Sequence, residues 1–481
     1  MVARLRRAFW TILISLTTIA FVYLTIVNTA IEQEINKPKN LHRNVKHIVA
    51  YSLLKKIEIE SEHYTCEERL DDDEVNYSAI NGSDEDYAWT NIDGSAVHVL
   101  SVHLDRRLEP YHYVRIIGMI KGIYQETVYC QISSPTETVV TKVTTTPIWL
   151  DAWDQNDTNV YFNPVLLSCR IPLGLAPENV SITTKPCDGK QGKHFSLTND
   201  TGNSQYTFTV CVKPLDFLED ISERLIQWIE MIRILGAEKI EIYVKKVKRN
   251  VWKILKWYDS NYPDQITIRK FHVVKDADTN KNYNFSWILW QKRRYEVATY
   301  NSCFYRNIGL TRFIIPLDID EIILPRHLFT WKNVLQDIYT TIPGLKENFA
   351  SFMVPNTYFF GELPKNETDK IFFLRNILRS RFSPPGESGK SFISTKNTLT
   401  VFNHYALDVL KPGISRTFFV PSNVAQLNHY KETCNAVILP ECVKYVSSPR
   451  IKDKLVFRYE KVFMYKYSKR ILLFKKLGFF M

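Results

Sequence analysis

Hydrophobic and polar positions change pattern several times along the chain. Residues 9–27 carry no charge and are long enough to cross a bilayer. The apolar core of a cleaved signal peptide is usually shorter. Residues 28–86 are polar, with an acidic run at 71–74, and read as a stem. From 87 to 204 the segments AVHVLSVHL, YHYVRIIGMI, ETVYCQI and TETVVTKVTTT are rich in β-branched and aromatic residues and are separated by turn residues. No helical period appears there, so a β-rich, sandwich-like domain is expected. Trp89, Trp149 and Trp153 in this part are candidates for stacking on sugars, although core packing is the commoner fate of tryptophan.

After residue 205 strands and helices alternate. Tyr206, Phe208, Val210 and Val212 recur at every second position, which marks a strand. Ile221, Leu225, Trp228, Ile229, Ile232 and Leu235 follow helical spacing up to Gly236, a helix stop. Residues 239–244 predict a second strand, Val251, Ile254, Leu255 and Tyr258 a second helix, and 266–274 a third strand. A long helix over 287–308 then leads into another strand. This order is that of a half-Rossmann unit with parallel strands. No Gly-x-Gly-x-x-Gly follows the first strand, which disfavours a dinucleotide cofactor and leaves a mononucleotide open. Further on, 350–360 predicts a strand and 390–405 a hairpin ending in Phe402-Asn403-His404-Tyr405. A short piece ends in Asn428-His429-Tyr430. The basic tail at 451–481 is either a membrane-surface segment or a helix packed on the domain.

The chemistry concentrates in RFIIPLDIDEIILPR, residues 312–326. Phe313, Ile314, Ile315 and Leu317 make a buried strand that breaks into acid at Asp318, Asp320 and Glu321. Side chains two apart on a strand share a face, so Asp318 and Asp320 can converge while Ile319 faces away. Ligands of open α/β sheets bind beyond the carboxyl ends of the strands. Paired carboxylates without thiols suit a hard divalent ion that keeps positions open for phosphate oxygens. Asp-x-Asp also occurs at Asp71/Asp73, Asp84/Asp86 and Asp276/Asp278, but only the pair at 318 and 320 follows an apolar strand.

The net charge of +11 is compatible with nucleic-acid binding, but the N-terminus points elsewhere. Arg4, Arg6 and Arg7 precede the apolar segment and Glu32 and Glu34 follow it, so the N-terminus is expected to stay cytoplasmic and the rest to be lumenal. Sequons at Asn76, Asn81, Asn156, Asn179, Asn199, Asn284 and Asn366 agree with that compartment. So do eight cysteines with no Cys-x-x-Cys pair, which favour disulfides over structural zinc. Their spacing leaves the connectivity open. Cys434 and Cys442 are the favoured bridge, and Cys303, in the long helix, is expected to be a buried free thiol.

Several spaced segments together resemble glycosyltransferase family 92. They are CVKPL at 211–215, LIQWIEMIRILGAEKIEIY at 225–243, NSCFYR at 301–306, the acid motif, and LNHYK at 427–431. SVHLDRR at 101–107 resembles the segment that precedes the catalytic domain in this family, so the likeness covers roughly 97–435. It implies a GT-A (Rossmann-like, nucleotide-sugar-binding) α/β domain. It also implies metal-dependent, inverting transfer of galactose from UDP-galactose, usually with manganese, onto a glycan or glycoprotein acceptor. The expected organisation is a cytoplasmic tail (1–8), a transmembrane signal anchor (9–27), a stem (28–86), a β-rich domain (87–204), the GT-A domain (205–450) and the basic tail (451–481). A single-pass type II protein of the Golgi membrane, with its catalytic domain lumenal and no nucleic-acid partner, is the expectation. The family's Lys-x-x-x-x-Pro hairpin is incomplete: Lys390 is present, but Ser394, Thr395 and Lys396 stand where proline is expected.

Residue roles follow. Asp320 is expected to bind Mn2+ or Mg2+, Asp318 to share the ion or reach the ribose, and Glu321 to support them. His404 and His429 are placed to add an imidazole ligand, which tilts the choice towards manganese. Lys390 is a candidate for a donor phosphate, and Gln291 and Asn301 for the nucleotide side. Inversion needs a base for the acceptor hydroxyl, with Glu362, Asp369, Glu387 and Asp408 as candidates. Two other classes remain open on the sequence: an inactive lumenal, lectin-like carbohydrate-binding glycoprotein, and a secreted glycosidase, which also uses two carboxylates. The nucleotide-type β/α order disfavours the glycosidase.

Overall fold

The alternation after residue 205 builds a mixed eight-stranded sheet. In chain order its elements are β1 (Tyr206–Asp216), α1 (Ser222–Leu235), β2 (Lys239–Lys246), α2 (Arg249–Asn261), β3 (Ile266–Phe271), α3 (Phe285–Arg306) and β4 (Thr311–Pro316). They are followed by β5 (Glu321–Pro325), α4 (Trp331–Thr341), β6 (Phe349–Val354), β7 (Asn356–Phe360) and β8 (Lys390–Ser394). The last elements are β9 (Thr398–Val401), β10 (Ala406–Val409), β11 (Ser415–Phe419), β12 (Ala425–Lys431), α5 (Pro440–Val446) and α6 (Glu460–Lys476). The computed structural model describes residues 63–65, 86–87 and 89–480, apart from 123–126, 151–152, 155–158, 189–192, 198–203, 275–284, 343, 362–370, 433 and 435–439. The expected anchor, most of the stem, Glu362, Asp369, and the sequons at Asn76, Asn81, Asn156, Asn199, Asn284 and Asn366 lie outside the described residues. Among the described residues no helix is long and apolar enough to cross a membrane.

The main sheet runs in the order Asp86–Tyr87, β3, β2, β1, β4, β8, β6, β11. β3, β2, β1 and β4 are mutually parallel, and β8 turns antiparallel between β4 and β6. The parallel strands are apolar on both faces because helices cover both. α1 buries Leu225, Trp228, Ile229, Ile232 and Leu235 on one of these faces. Each large apolar side chain so removed from water contributes roughly 2 kcal/mol. Gly236 ends α1 at φ 123°, a left-handed conformation that a Cβ would strain. A second sheet, β5–β12–β7 extended by Leu378–Arg379 and Ile451–Lys452, lies past the end of β4.

Two five-stranded antiparallel sheets precede the mixed sheet. One holds strands Thr90–Asn91, Val97–Asp105, Tyr113–Lys121, Phe162–Arg170 and Thr144–Pro147. The other holds His63–Thr65, Thr138–Lys142, Tyr129–Ser133, Asn179–Thr183 and Lys193–Ser196. Val99, Val114, Ile116 and Leu167 from the first sheet share a core with Cys130, Ile132, Val180 and Ile182 from the second, and a Cys130–Cys169 disulfide joins the two. Asn179, half-buried, opens a strand paired to both Ser196 and Ser133. Two short strands bear on the stretch read as stem: His63–Thr65 falls within it and Asp86–Tyr87 straddles its end. Elements of three and two residues are too short to leave a periodic pattern.

α3 joins the β-rich part to the mixed sheet. It is buried on several sides and mixes polar side chains with apolar ones, so no single apolar stripe marks its packed face. The structure corrects the reading of Cys303 as a free thiol: it is disulfide-bonded to Cys211 of β1. Cys434–Cys442 is bonded as expected, and no cysteine among the described residues is free. Residues 390–405 are not one hairpin. β8 pairs with β4 and β6 inside the main sheet, and the hairpin is β9–β10. The basic tail is a packed helix: α6 buries Phe463, Tyr467 and Phe474, and Arg470 donates to Glu230 of α1 at 2.9 Å.

Candidate functional site

β4 ends at Pro316, so Asp318 and Asp320 lie just past the strand, in the turn that passes the chain to β5. This differs from the expectation of one strand face. Glu321 ties the turn: its Oε2 accepts the Asp318 N–H at 2.9 Å, and its own N–H donates to the Asp318 carbonyl at 3.0 Å. Buried indoles fix β5 from behind. Trp228 Nε1 donates to the Glu321 carbonyl at 2.9 Å, and Trp331 Nε1 to that of Ile323 at 2.8 Å. The second sheet then sets Glu321 opposite His429 of β12, and His429 opposite Tyr358 of β7.

The turn opens into a cleft of about 710 Å³. Asp318, Glu321, Lys390, His404 and His429, all singled out in the sequence, line it. Three lysines offset the acids. Lys213 of β1 is 3.1 Å from Asp318 Oδ2, Lys390 is 3.3 Å from Glu321 Oε2, and Lys431 is 3.1 Å from Asp320 Oδ2. Burial alone would push Asp318 up, but Lys213 and Lys390 outweigh it and hold the carboxyl well below the usual range. Against the same effect of burial, Lys431 and His429 hold Asp320 low. Glu321 moves the other way, raised by burial and by the charges of Asp318 and Asp320 despite Lys390. Lys213 is pushed above the ordinary lysine value, since Asp318 and Glu296 outweigh its burial.

The imidazoles differ in their bonding. His404 Nδ1 donates to the Gly389 carbonyl at 2.7 Å, which leaves the lone pair on Nε2. Burial, with Lys390 adding, lowers its pKa to about 3, so the ring is neutral. His429 stacks on Tyr358 and is buried, and neither ring nitrogen makes a hydrogen bond among the described residues. Nε2 lies 3.5 Å from Asp320 and Nδ1 3.5 Å from Glu321. A buried imidazole with open nitrogens beside an ionised carboxylate is the donor set of an octahedral N/O site. Among the described residues no three His, Cys, Asp or Glu side chains close around a metal by themselves. The Asp320–His429 pair therefore fits a cation whose remaining positions come from phosphate or water.

Gln291 and Asn301 do not reach the cleft. Gln291 accepts from the Phe162 N–H at 2.9 Å and donates to its carbonyl at 3.1 Å, clamping α3 to the β-rich part. Asn301 makes the same two-way bond to the Val401 backbone. Each reads in sequence as a polar residue on a long helix, and only the packing reveals a backbone clamp. Glu387 is held by Lys444 and Tyr445 of α5, and Asp408 by Thr400, outside the cleft lining.

Other cleft residues were not recognised in the sequence. Glu296 lines the cleft and pairs with Lys213, and Tyr300, buried behind it on the same face of α3 as Cys303, donates to Asp318 at 3.4 Å. Lys213 is two residues past disulfide-bonded Cys211, on the same face of β1. A lysine inside the apolar strand CVKPL was the available signal. Lys431 likewise follows His429 by two on β12. Trp149 and Trp153, two of the sugar-stacking candidates named from the sequence, form with Trp290 and Phe402 an aromatic wall of the cleft, with the Trp153 and Phe402 ring centroids 4.1 Å apart. Trp89 instead packs on Phe271 and Tyr295. Arg107, in SVHLDRR, donates to the Thr395 and Thr398 carbonyls, both at 2.6 Å. That segment is thus a strut between the β-rich sheet and the turn after β8.

A family model described as glycosyltransferase family 92 matches residues 206–466, from β1 into α6. The Ser101–Arg107 strut lies before it. Beta-1,4-galactosyltransferase galt-1 of Caenorhabditis elegans is 26% identical over 253 residues, which are 50% of this chain and 52% of that protein. The match spans about half the length of that relative.

Proposed function

The chain belongs to glycosyltransferase family 92, and on that premise we propose that it moves galactose from UDP-galactose onto a glycan acceptor, with inversion, in the Golgi lumen. The reading takes residues 205–450 together with α6 as a GT-A catalytic domain, 87–204 as a β-rich module and 9–27 as a type II anchor. A glycosyltransferase needs a sugar donor and an acceptor. The specific donor is supported by the galactosyltransferase likeness. The observation that carries the reading is the acid turn at the carboxyl end of parallel strands, whose Asp318 and Glu321 line a cleft with Lys213, Lys390 and Lys431 while Asp320 stands against His429 and Lys431.

Asp320 and His429 would hold the Mn2+ or Mg2+, with Asp318 beside them. A bound divalent ion would offset the negative charge that builds on the departing diphosphate. Lys213, Lys390 and Lys431 act on the same charge from three sides. Glu321 keeps Asp318 in register through its backbone bonds. The aromatic wall excludes water and offers flat faces for sugar rings.

The full-length chain in detergent, given a panel of UDP-sugars and a glycan array with manganese, is expected to transfer galactose. Asp320→Ala lowers the rate below detection without lowering the melting temperature. EDTA abolishes transfer. Full activity in that variant overturns the role of the acid turn. Full activity in EDTA would assign the diphosphate charge to the three lysines alone.

A further inference from the structure

The reaction still lacks a base among the residues so far given roles. Four carboxylates line the cleft: Glu296, Asp318, Glu321 and Glu441. Lys213 pairs with Glu296 at 3.5 Å and with Asp318 at 3.1 Å, and Lys390 pairs with Glu321 at 3.3 Å. Glu441 has a different environment. Its Oε1 accepts from the Ser388 hydroxyl at 3.3 Å, and no lysine or arginine forms an ion pair with it among the described residues. It sits in the first turn of α5, whose next residue, Cys442, is fully buried and bonded to Cys434 just beyond β12. That bridge ties the helix carrying Glu441 to the chain just past the strand that carries His429 and Lys431. Tyr358 lies close by: its ring packs on Tyr445 of α5, with centroids 5.2 Å apart, in one buried cluster with Cys442. Tyr358 is one of the cleft's lining residues, and its buried hydroxyl, apart from a loose approach to Ser388, has no hydrogen-bond partner among the described residues. A buried hydroxyl in that state, in a cleft wall, points to a ligand group that is polar there.

We propose that Glu441 is the catalytic base and that Tyr358 positions the acceptor hydroxyl beside it. This rests on the transferase reading above. The acceptor O–H gives its proton to the Glu441 carboxylate as its oxygen bonds to the anomeric carbon. The bond from that carbon to the diphosphate oxygen breaks, and its electron pair leaves with the nucleotide. Glu441 then returns the proton to solvent. The Cys434–Cys442 bridge acts as a positioning device. Glu441 lies more than a hundred residues beyond the acid turn, in a short helix, and no local pattern in the sequence marks it.

The test compares wild type, Glu441→Gln, Glu441→Asp and Tyr358→Phe in the full-length chain. Glu441→Gln is isosteric on a half-buried side chain, so folding is checked by melting temperature and the site by UDP affinity. Glu441→Gln is expected to lower kcat by 100- to 10,000-fold with UDP affinity unchanged, and Glu441→Asp to recover part of the loss. Tyr358→Phe is expected to raise the acceptor KM more than it lowers kcat. Wild-type transfer together with a Glu441→Gln rate within threefold overturns this inference and leaves the transferase reading standing. A wild-type chain that neither binds UDP nor transfers overturns both.

Discussion

At the scale of single residues, lysines pair with all three carboxylates of the acid turn. Lys213 serves Asp318, Lys390 serves Glu321 and Lys431 serves Asp320. Lys431→Met is expected to lower kcat/KM for the donor by about 100-fold, measured by initial rates across donor concentrations. Gly389 makes the close approach that sets Lys390. A Cβ there would stand 2.6 Å from the Val354 carbonyl and 2.8 Å from Met353 Cγ. Gly389→Ala must therefore move backbone, at a cost of about 1–3 kcal/mol. Urea unfolding should register that loss, and transfer should fall with it as Lys390 and the His404 bond shift. The acid turn was legible in the sequence because an apolar strand running into acid is a local signal, and Lys390 was legible through its likeness to the family's lysine hairpin. Lys213 and Tyr358 were not. Each reads as an ordinary strand residue until β1 and β7 are brought to the same opening.

At the scale of elements, α3 decides how the halves fit. It was legible as a long helix, but its lack of amphipathicity hid what it touches. Cys303 meets β1, Gln291 and Arg294 meet the β-rich strand Phe162–Arg170, and Asn301 and Tyr305 meet β9. The Cys211–Cys303 pair is separated by 92 residues. Replacing both cysteines with alanine should lower the unfolding free energy by about 3 kcal/mol, read by denaturant titration of the oxidised protein. α6 is a second case. Its aromatic and basic mixture fitted either a membrane surface or a domain face, and the buried Glu230 beneath it decides for the latter. Glu230 accepts from Tyr258 at 2.8 Å and Arg470 at 2.9 Å. Arg470→Ala leaves that charge buried with less compensation, and should destabilise the fold by roughly 3 kcal/mol.

At the scale of the whole molecule, buried titratable groups set a pH window. Burial lowers the pKa of His103, with Arg306 adding, and lowers that of His404 to about 3. Both rings stay neutral in the fold while the unfolded chain takes up protons, so their contribution is complete above about pH 6.5 and is lost as pH falls below it. Burial opposes ionisation of Asp105 and Glu241, but Arg107 and Arg269 respectively outweigh it and hold both carboxyls low. Their share persists down to about pH 4 and is lost in stronger acid. Melting temperature measured against pH should therefore decline in two stages, below about 6.5 and again below about 4. The parallel-sheet order was legible in the sequence, since alternating periods of two and 3.6 report it directly. The meeting of the second sheet with the acid turn was not, because antiparallel pairing of β5 with β12 joins segments a hundred residues apart. That meeting is what makes one site of Asp320 and His429. Its most direct test is calorimetric titration of UDP-galactose into the full-length chain, with manganese and then with EDTA, for wild type and Asp320→Ala. Binding that weakens at least tenfold on removing either the metal or the carboxylate is the predicted result. Equal affinity in all four titrations would contradict it.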